Sequence, residues 1–342
     1  MTTYLGVALV AFAGLVIGSG AWPIKLMKRF EFEHWWFVGM LLGLIVIPWT
    51  STLLLCNHPF QAYSTVPIWM LVKSNLFALG WGIANVLCGI CFTRIGVGLT
   101  GAISTGLGVS VGVTLPFVMK GSGLFNDAPD ITSRAGLTIL SGVAVMLVGV
   151  ALSTAAGFGR DRALKKTEKH SGKFARDLTL CVIAGVLSCG MGLAFVYCQG
   201  PVVAAMKLRG AGDIPANLAV WAGGLLAGAL LNVIYPAYLM TRKHSWNVLG
   251  QSWRELGLSA VIGIGLALGI MLTGKGMLLL GAAGASVGIG IQQATQMMGN
   301  QGLGFASGEW RGVHGRPRAQ MLVAIGVLII AAAIMAYGNT LT

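Results

Sequence analysis

Charged residues are scarce in this sequence. Only 10% of its 342 residues are Asp, Glu, Lys or Arg, and only 10 of them are acidic. An ordinary soluble domain is about 25% charged, so a soluble fold of this length would lack a surface that water can solvate. Hydrophobic residues make up 56% of the chain, and the mean hydropathy is +0.80. Because lipid replaces water around the middle of a membrane protein, the composition predicts an all-α integral membrane protein.

Motifs of enzyme chemistry are also missing. The six cysteines fall in or beside apolar stretches, without the spacing of a disulfide framework or a zinc site. The sequence has no phosphate-binding loop and no nucleophile near a His and an Asp, so we expect neither enzyme activity nor a cofactor or metal. The net charge of +13 does not indicate nucleic-acid binding, because the basic residues lie in short loops between apolar stretches.

Apolar stretches of membrane-spanning length recur along the chain. At about 20 residues per span, the chain has room for ten spans and short loops. Glycine is abundant, with 51 residues, and small residues let membrane helices approach closely. We predict spans at 5–22, 36–56, 67–91, 97–119, 135–156, 178–199, 214–240, 256–273, 277–302 and 319–339.

The basic residues are unevenly distributed among the loops. Loops after odd-numbered spans hold 17 of the 23 Lys and Arg residues, loops after even-numbered spans hold 5, and Lys73 lies inside span three. Short cytoplasmic loops are enriched in Lys and Arg. We therefore predict that the odd loops are cytoplasmic and that both termini lie outside the cell. The most basic loop, residues 157–177, is predicted to be a cytoplasmic linker.

The linker separates two sets of five spans, residues 1–156 and 178–342, which share a weak internal repeat. Because five is odd, the second set starts on the opposite side of the membrane, and the two sets are predicted to be inverted repeats, a common plan of secondary transporters. The matches, at offsets of 182 and 184 positions, are Ser104, Gly106, Gly108 and Val109 with Ser286, Gly288, Gly290 and Ile291, and Arg134, Ala135, Gly142 and Val143 with Arg318, Ala319, Gly326 and Val327.

Amide side chains are concentrated in predicted span nine. Gln292, Gln296 and Asn300 follow at intervals of four and therefore share one face of a helix, and Gln293 lies beside them. Polar groups inside a membrane are costly and often mark a transport pathway. Since amides both donate and accept hydrogen bonds, the stripe predicts a site for a neutral, hydroxyl-rich ligand. Hydrogen bonding between helices alone is the alternative.

The repeat extends this prediction to span four. Ser110 and Thr114 stand at the equivalents of Gln292 and Gln296, so a second polar stripe is expected to face the same centre. Close packing of helices is expected at four glycines of these two spans, Gly106, Gly108, Gly288 and Gly290.

Aromatic and amide side chains also occur together in spans three and seven. Trp81 and Asn85 are four residues apart. Asn217, Trp221 and Asn232 in span seven, with Tyr235 nearby, form a similar set. An aromatic ring beside a hydrogen-bonding group suits the apolar face of a sugar. The alternative for both sets is a structural Trp with a hydrogen-bonded Asn.

Candidates for coupling transport to an ion are few. Lys73, the only Lys or Arg inside a predicted span, is one, and the alternative is that its long stem extends to the lipid headgroups. The 10 acidic residues and five histidines all lie in loops or at span ends, so no relay of buried carboxylates is evident. Glu309 and Glu255, at span ends, are the best acidic candidates, with ordinary loop charges as the alternative.

Several short motifs follow one another over most of the chain. They are Pro23-Ile24-Lys25, Ile47-Pro48-Trp49, Trp81-Gly82-Ile83-Ala84-Asn85 followed by Gly89 and Arg94, and Gly308-Glu309-Trp310 leading to Gly315-Arg316-Pro317. In order and spacing they resemble the L-rhamnose–proton symporters of the drug/metabolite transporter superfamily. The resemblance implies ten helices in two inverted repeats, a central sugar site and proton-coupled uptake. Gln292, where enterobacterial members have a His as the spans align, and Lys73 depart from that pattern.

The sequence thus predicts an alternating-access carrier in a bacterial inner membrane, with lipid and a sugar such as L-rhamnose or a related deoxyhexose as partners and a proton as the coupling ion. A carrier of another small polar metabolite, sodium-coupled or an exporter, is the first alternative. A channel is disfavoured because no ring of one charge type or repeated filter occurs, and a membrane enzyme because the catalytic set is missing.

Overall fold

The computed structural model describes residues 2–94, 97–122, 125, 128–164, 174–281 and 284–341. Among these residues no strand occurs, and helices account for nearly the whole backbone, which confirms the all-α prediction. The α-helices are α1 (Thr2–Ser19), α2 (Phe32–Met40), α3 (Ile47–Leu55), α4 (Pro59–Thr65), α5 (Ile68–Arg94), α6 (Val97–Val118), α7 (Arg134–Ala163), α8 (Phe174–Ser188), α9 (Gly190–Lys207), α10 (Asp213–Ala219), α11 (Leu226–Arg242), α12 (Trp253–Leu280), α13 (Gly284–Ala306) and α14 (Arg316–Asn339).

Seven helical segments in the described part of the chain are long and apolar enough to cross a membrane. An eighth results if the segments Asp213–Gly224 and Leu226–Arg242, bent by 66° against each other, form one span. The two predicted spans without a counterpart in this set are four and nine, which correspond to α6 and α13. Within the described part of α6, the apolar segment is Gly106–Val118, which is shorter than a span. In α13 the amide side chains reduce the hydropathy.

The predicted boundary between spans eight and nine is wrong. Helix α12 runs through residues 273–276 and ends at Leu280. The next residue, Gly281, has a φ of 70°, a left-handed conformation that favours glycine at a helix end. Gly274 and Gly276 serve packing instead of a turn: added Cβ atoms would lie 2.7 Å from Asn217 Oδ1 and 2.9 Å from the Gly6 carbonyl oxygen, respectively. Lys275 therefore lies within a candidate span, and Lys73 is not the only basic residue in one.

Both ends of the predicted linker, residues 157–177, are helical. Helix α7 continues to Ala163, with Arg160 and Arg162 in its last turn, and Asp177 lies in the first turn of α8. Basic side chains at a helix C-terminus and acidic ones at an N-terminus are both favoured by the helix dipole. Residues 165–173 lie outside the described part of the chain.

Three predicted spans contain interruptions. A π-helical turn, Leu41–Val46, joins α2 to α3, and Cys189 separates α8 from α9. In span seven, a second π turn, Val220–Gly224, follows α10, and Leu225 then breaks the helix before α11. π turns in helices are often found at functional sites.

The chain divides into two compact units that cut across the two predicted repeats. Each unit combines segments from before and after the linker, and the repeats stay a prediction. The first unit comprises Met1–Gly18, Ala84–Cys189 and Gly276–Thr342, and the second comprises Ser19–Ile83 and Gly190–Lys275.

Helices α1 and α13 pack closely against each other in the first unit. A Cβ atom on Gly14 would lie 2.0 Å from Thr295 Oγ1, and one on Gly18 would lie 2.0 Å from the carbonyl oxygen of Gln296. Neither position has room for a methyl group. Since small residues allow such approach between membrane helices, these glycines determine where α13, with its amide side chains, lies against α1.

We predict that Gly14→Ala and Gly18→Ala each destabilise the protein by about 1–3 kcal/mol, the usual cost of overpacking. Gly265→Ala in α12 is the control, because nothing lies within 4 Å of its added Cβ. The measurement is the thermal unfolding midpoint of the detergent-purified variants. Equal midpoints for all three variants would contradict the close contact of α1 and α13.

Candidate functional site

The predicted amide stripe of α13 lies in the first unit and is partly buried. Gln292 is 3% exposed, and its Nε2 donates a hydrogen bond of 2.8 Å to Gln296 Oε1, one turn along the helix. Asn300, a further turn on, is exposed, and Gln293 is half-buried. Each amide group offers two donor hydrogens and an acceptor oxygen. Gln296 is half-buried. The two glutamines thus form a partly buried, uncharged pair that can both donate and accept hydrogen bonds.

The predicted polar residues of α6 use their hydroxyl groups within their own helix. Ser110 Oγ donates to the Gly106 carbonyl at 2.6 Å, and Thr114 Oγ1 donates to the Ser110 carbonyl. Ser and Thr side chains commonly bond back to the preceding turn. Both side chains are half-buried, and a hydroxyl oxygen that donates in this way still has lone pairs to accept a bond.

The four glycines predicted as packing points differ in their surroundings. A Cβ on Gly108 would lie 2.1 Å from Ser188 Oγ, and one on Gly288 would lie 2.6 Å from Met277 Cγ. On Gly290 it would lie 2.4 Å from Met335 Sδ. Gly106 is the exception, since its nearest neighbour, Val150 Cγ1 at 3.6 Å, is an ordinary van der Waals contact.

Two tryptophans that were predicted as sugar contacts lie next to each other in the second unit. The rings of Trp81 on α5 and Trp221 on the π turn meet edge to face, with centroids 6.3 Å apart and planes at 82°. Phe195 extends the cluster, at 5.8 Å from Trp221. Asn232, further along the chain on α11, is buried, and its Nδ2 donates to the Gly228 carbonyl at 2.9 Å. Asn85, predicted beside Trp81, is half-buried and belongs to the first unit.

Sequence reasoning missed the buried partner of Asn217 in the second unit. Gln199 Nε2 donates to Asn217 Oδ1 at 2.8 Å and lies 3.2 Å from the Gly274 carbonyl. It also missed Ser74, which together with Asn75 bonds to backbone groups at the break before α11. The available signal was that polar side chains are rare inside the predicted spans, so each deserves an explanation.

Glu309 and Lys73 are not buried. Glu309 is 45% exposed by its side chain, and its Oε2 lies 2.9 Å from Arg160 Nη1. Arg160 also lies over the ring of Trp310, 5.6 Å from its centroid. Lys73 is exposed, with its Nζ 4.8 Å from the centroid of Trp69.

Three other carboxylates are buried, although they lie at helix starts as the sequence predicts. They are Glu33 at 2% exposure, Asp177 and Glu255. The sequence does not show this burial because the partners come from distant segments. Asp177 Oδ1 lies 3.0 Å from Arg94 Nη1, and Glu255 accepts the backbone N–H groups of residues 28–30.

Glu33 shares a lysine with Glu31. Lys243 Nζ lies 2.8 Å from Glu33 Oε1 and 2.9 Å from Glu31 Oε2. Its hydrogen bonds to Glu33 and then Glu31 raise the pKa of Lys243. The hydrogen bond and positive charge of Lys243 lower the pKa of Glu31. His34, next to Glu33, also contacts the segment after α11, because its Nε2 lies 3.1 Å from Ser245 Oγ.

Among the described residues no group of three or more His, Cys, Asp or Glu side chains is arranged to hold a metal ion.

These features define a multi-pass helical membrane protein with buried uncharged amides. The family model described as L-rhamnose-proton symport protein matches residues 5–340. The chain therefore belongs to the L-rhamnose–proton symport protein family.

Individual relatives are more distant and are matched in part. An L-rhamnose-proton symporter of Yersinia pestis bv. Antiqua (strain Antiqua) is 28% identical over 215 residues, which are 62% of this chain and 60% of the relative. The same figures hold for L-rhamnose-proton symporters of Yersinia pestis (strain Pestoides F) and Yersinia pseudotuberculosis serotype O:1b (strain IP 31758). The matched part of the chain thus spans 60% of the length of these relatives.

We predict that Lys243→Met destabilises the protein by about 2–3 kcal/mol at pH 7. Breaking a fully buried ion pair costs about 3–5 kcal/mol, and the effect is smaller here because the Lys243 side chain is 47% exposed. A raised lysine pKa gives stability that is complete below the ordinary value, about 10.4, and is lost as the pH rises through the folded-state pKa. The loss should therefore be constant from about pH 6 to pH 9.

Thermal unfolding midpoints across that range test this prediction. Lys207→Met is the matched control, because its ion pair with Asp213 is exposed on both sides and such pairs contribute about 0–1 kcal/mol. A Lys243→Met variant as stable as Lys207→Met would show that Glu33 does not depend on Lys243.

Proposed function

We propose that this protein is an alternating-access secondary carrier of a small neutral sugar, L-rhamnose or a related deoxyhexose, driven by proton symport. Membership of the symport protein family supports the transport class, and the relatives are named L-rhamnose-proton symporters. Their match covers part of each chain, so substrate and coupling ion are proposed here on the chemistry of the site as well. The family is one of transporters and not of enzymes.

The observation that carries the proposal is the partly buried amide pair of Gln292 and Gln296. The pair has no charge to balance that of an ion, and its amides match the hydroxyl groups of a sugar as donors and acceptors. Ser110 and Thr114 add hydroxyl groups in the same unit, with Gln293 and Asn300 flanking the pair. In the second unit, the aromatic cluster around Trp221 supplies stacking surfaces of the kind that a sugar ring uses.

The remaining predicted residues keep their proposed roles. Trp81, Asn85 and Asn232 are proposed as further substrate contacts, and Glu309 and Lys73 as the coupling candidates.

We further propose that α6 and α13 cross the membrane, which gives ten spans in two inverted repeats. In the first unit, Arg94 precedes predicted span four and Asp177 follows span five, and the two side chains are 3.0 Å apart. If α6 did not cross, they would lie at opposite faces. Arg160 and Glu309, 2.9 Å apart, stand on either side of spans six to nine. The same argument therefore supports a crossing by α13.

Contacts in the second unit follow the same rule. Glu255, after span seven, binds residues 28–30, after span one. On the other side, Arg209 Nη1 donates to Gln61 Oε1 at 3.0 Å, which pairs the loops after spans six and two. Odd loops meet odd loops, and even loops meet even loops. Together with the excess of basic residues in odd loops, this supports a cytoplasmic linker at 157–177 and termini outside a bacterial inner membrane.

The decisive experiment is uptake of a panel of radiolabelled sugars into proteoliposomes. Saturable L-rhamnose uptake is expected with an inward proton gradient, and a proton ionophore should abolish accumulation. Accumulation that persists with the ionophore but needs sodium would replace the proton with sodium as the coupling ion. If no sugar in the panel shows saturable uptake, the proposed function is wrong.

We predict that Gln292→Ala weakens sugar binding about 10- to 100-fold, since it removes hydrogen bonds worth about 0.5–1.5 kcal/mol each. Sugar-induced shifts of the thermal unfolding midpoint measure this. Gln301→Ala, a half-buried amide on the same helix, is the control and should keep the shift. A Gln292→Ala protein that is less stable but keeps its full sugar-induced shift would mean that the amide pair serves only packing.

A further inference from the structure

The break between the second π turn and α11 is held by two adjacent side chains of α5. Asn75 Nδ2 donates to the Gly223 carbonyl at 2.8 Å, and its Oδ1 accepts the Ala227 N–H at 2.9 Å. Ser74 Oγ lies 2.9 Å from the Gly224 carbonyl. A broken helix leaves backbone groups unsatisfied, which is costly within a membrane. Ser74 and Asn75 satisfy them and thereby fix the geometry of the break.

The break presents a tryptophan with an unused donor. Trp221 lies on the π turn just before the break and is 6% exposed. Its Nε1 is buried and has no hydrogen-bond acceptor in the described part of the chain. Buried polar groups nearly always have a partner, and an indole N–H can only donate. The missing partner must therefore present an acceptor, such as the oxygen of a hydroxyl group.

We propose that Trp221 Nε1 donates a hydrogen bond to one hydroxyl group of the transported sugar. In this arrangement Ser74 and Asn75 are positioning residues that set the place of Trp221 through the helix break. The inference rests on the proposed function and adds to it one atom-level contact and two residues that do not touch the sugar. Discontinuous helices are where secondary transporters commonly bind their substrates, and here the break carries both the ring and the donor.

The surroundings of Trp221 favour a sugar over a cation or a wholly apolar ligand. The edge-to-face contact with Trp81 leaves two aromatic rings at a large angle, against which the C–H face of a sugar can pack. An N–H group repels a cation, and an apolar ligand would leave the indole N–H unsatisfied. A hydroxyl group beside a C–H face satisfies both features.

Trp221→Phe tests the contact because it keeps an aromatic ring and removes the N–H. For the transported sugar, affinity should fall about three- to tenfold, as for the loss of one neutral hydrogen bond. For one of the monodeoxy analogues of that sugar, wild type and Trp221→Phe should bind equally, because the hydroxyl group is already missing. Trp36→Phe is the control for losing a tryptophan, because the Trp36 ring is half-buried beside Phe32. This variant should bind every sugar as wild type does.

The positioning role has a readout that needs no sugar. The part of the tryptophan exciton signal that Trp221→Phe removes from the circular dichroism spectrum should weaken in Asn75→Ala and Ser74→Ala. Ser74→Thr, which keeps the hydroxyl, should restore it. The same two alanine variants should raise KM for the sugar, and elution at the wild-type volume checks that they fold.

Two outcomes would overturn the inference. One is an equal loss for Trp221→Phe with the sugar and with every monodeoxy analogue. The other is an exciton signal unchanged by Asn75→Ala. If wild type transports sugar normally in either case, the proposed function stands and the inference alone fails. If wild-type protein binds and transports no sugar, both fail together.

Discussion

Lipid offers no hydrogen bonds, so each peptide group of this protein inside the membrane must be satisfied within the chain. Regular helix does so by itself, but the chain departs from regular helix at the break before α11. There Ser74 and Asn75 supply the missing bonds to Gly223, Gly224 and Ala227. Costly polar side chains in α5 are thus a consequence of the break. The break lies just after Trp221, whose buried N–H has no acceptor in the described part of the chain.

Close backbone packing is the counterpart of this constraint. Where α1 meets α13, Gly14 and Gly18 leave no space for side chains between the helices. The amide pair of Gln292 and Gln296 is carried on the helix that these glycines position. The hydrogen bond of the pair stabilises the protein, because burying an amide without a partner costs free energy. Small residues and amides are therefore parts of one arrangement in the first unit.

Local patterns predicted much of the fold, and their failures have a physical cause. The predicted span 67–91 corresponds to Ile68–Arg94, and 319–339 to Arg316–Asn339, because a run of apolar residues of this length has few alternatives to a helix. The segment 273–276 was predicted as a turn because two of its residues are glycines. Those glycines pack against Asn217 and Gly6 instead, and sequence alone does not distinguish a glycine that bends a chain from one that admits a neighbour.

The sequence by itself determined the class of protein, the α-helical fold and the spacing that joins Gln292 to Gln296, because hydropathy and helix period are local properties. Only the tertiary structure decided that Glu33 meets Lys243 and that Trp81 meets Trp221. These partners are separated by many residues along the chain. Their meeting depends on how whole helices pack and on where a helix breaks, and no local pattern specifies either.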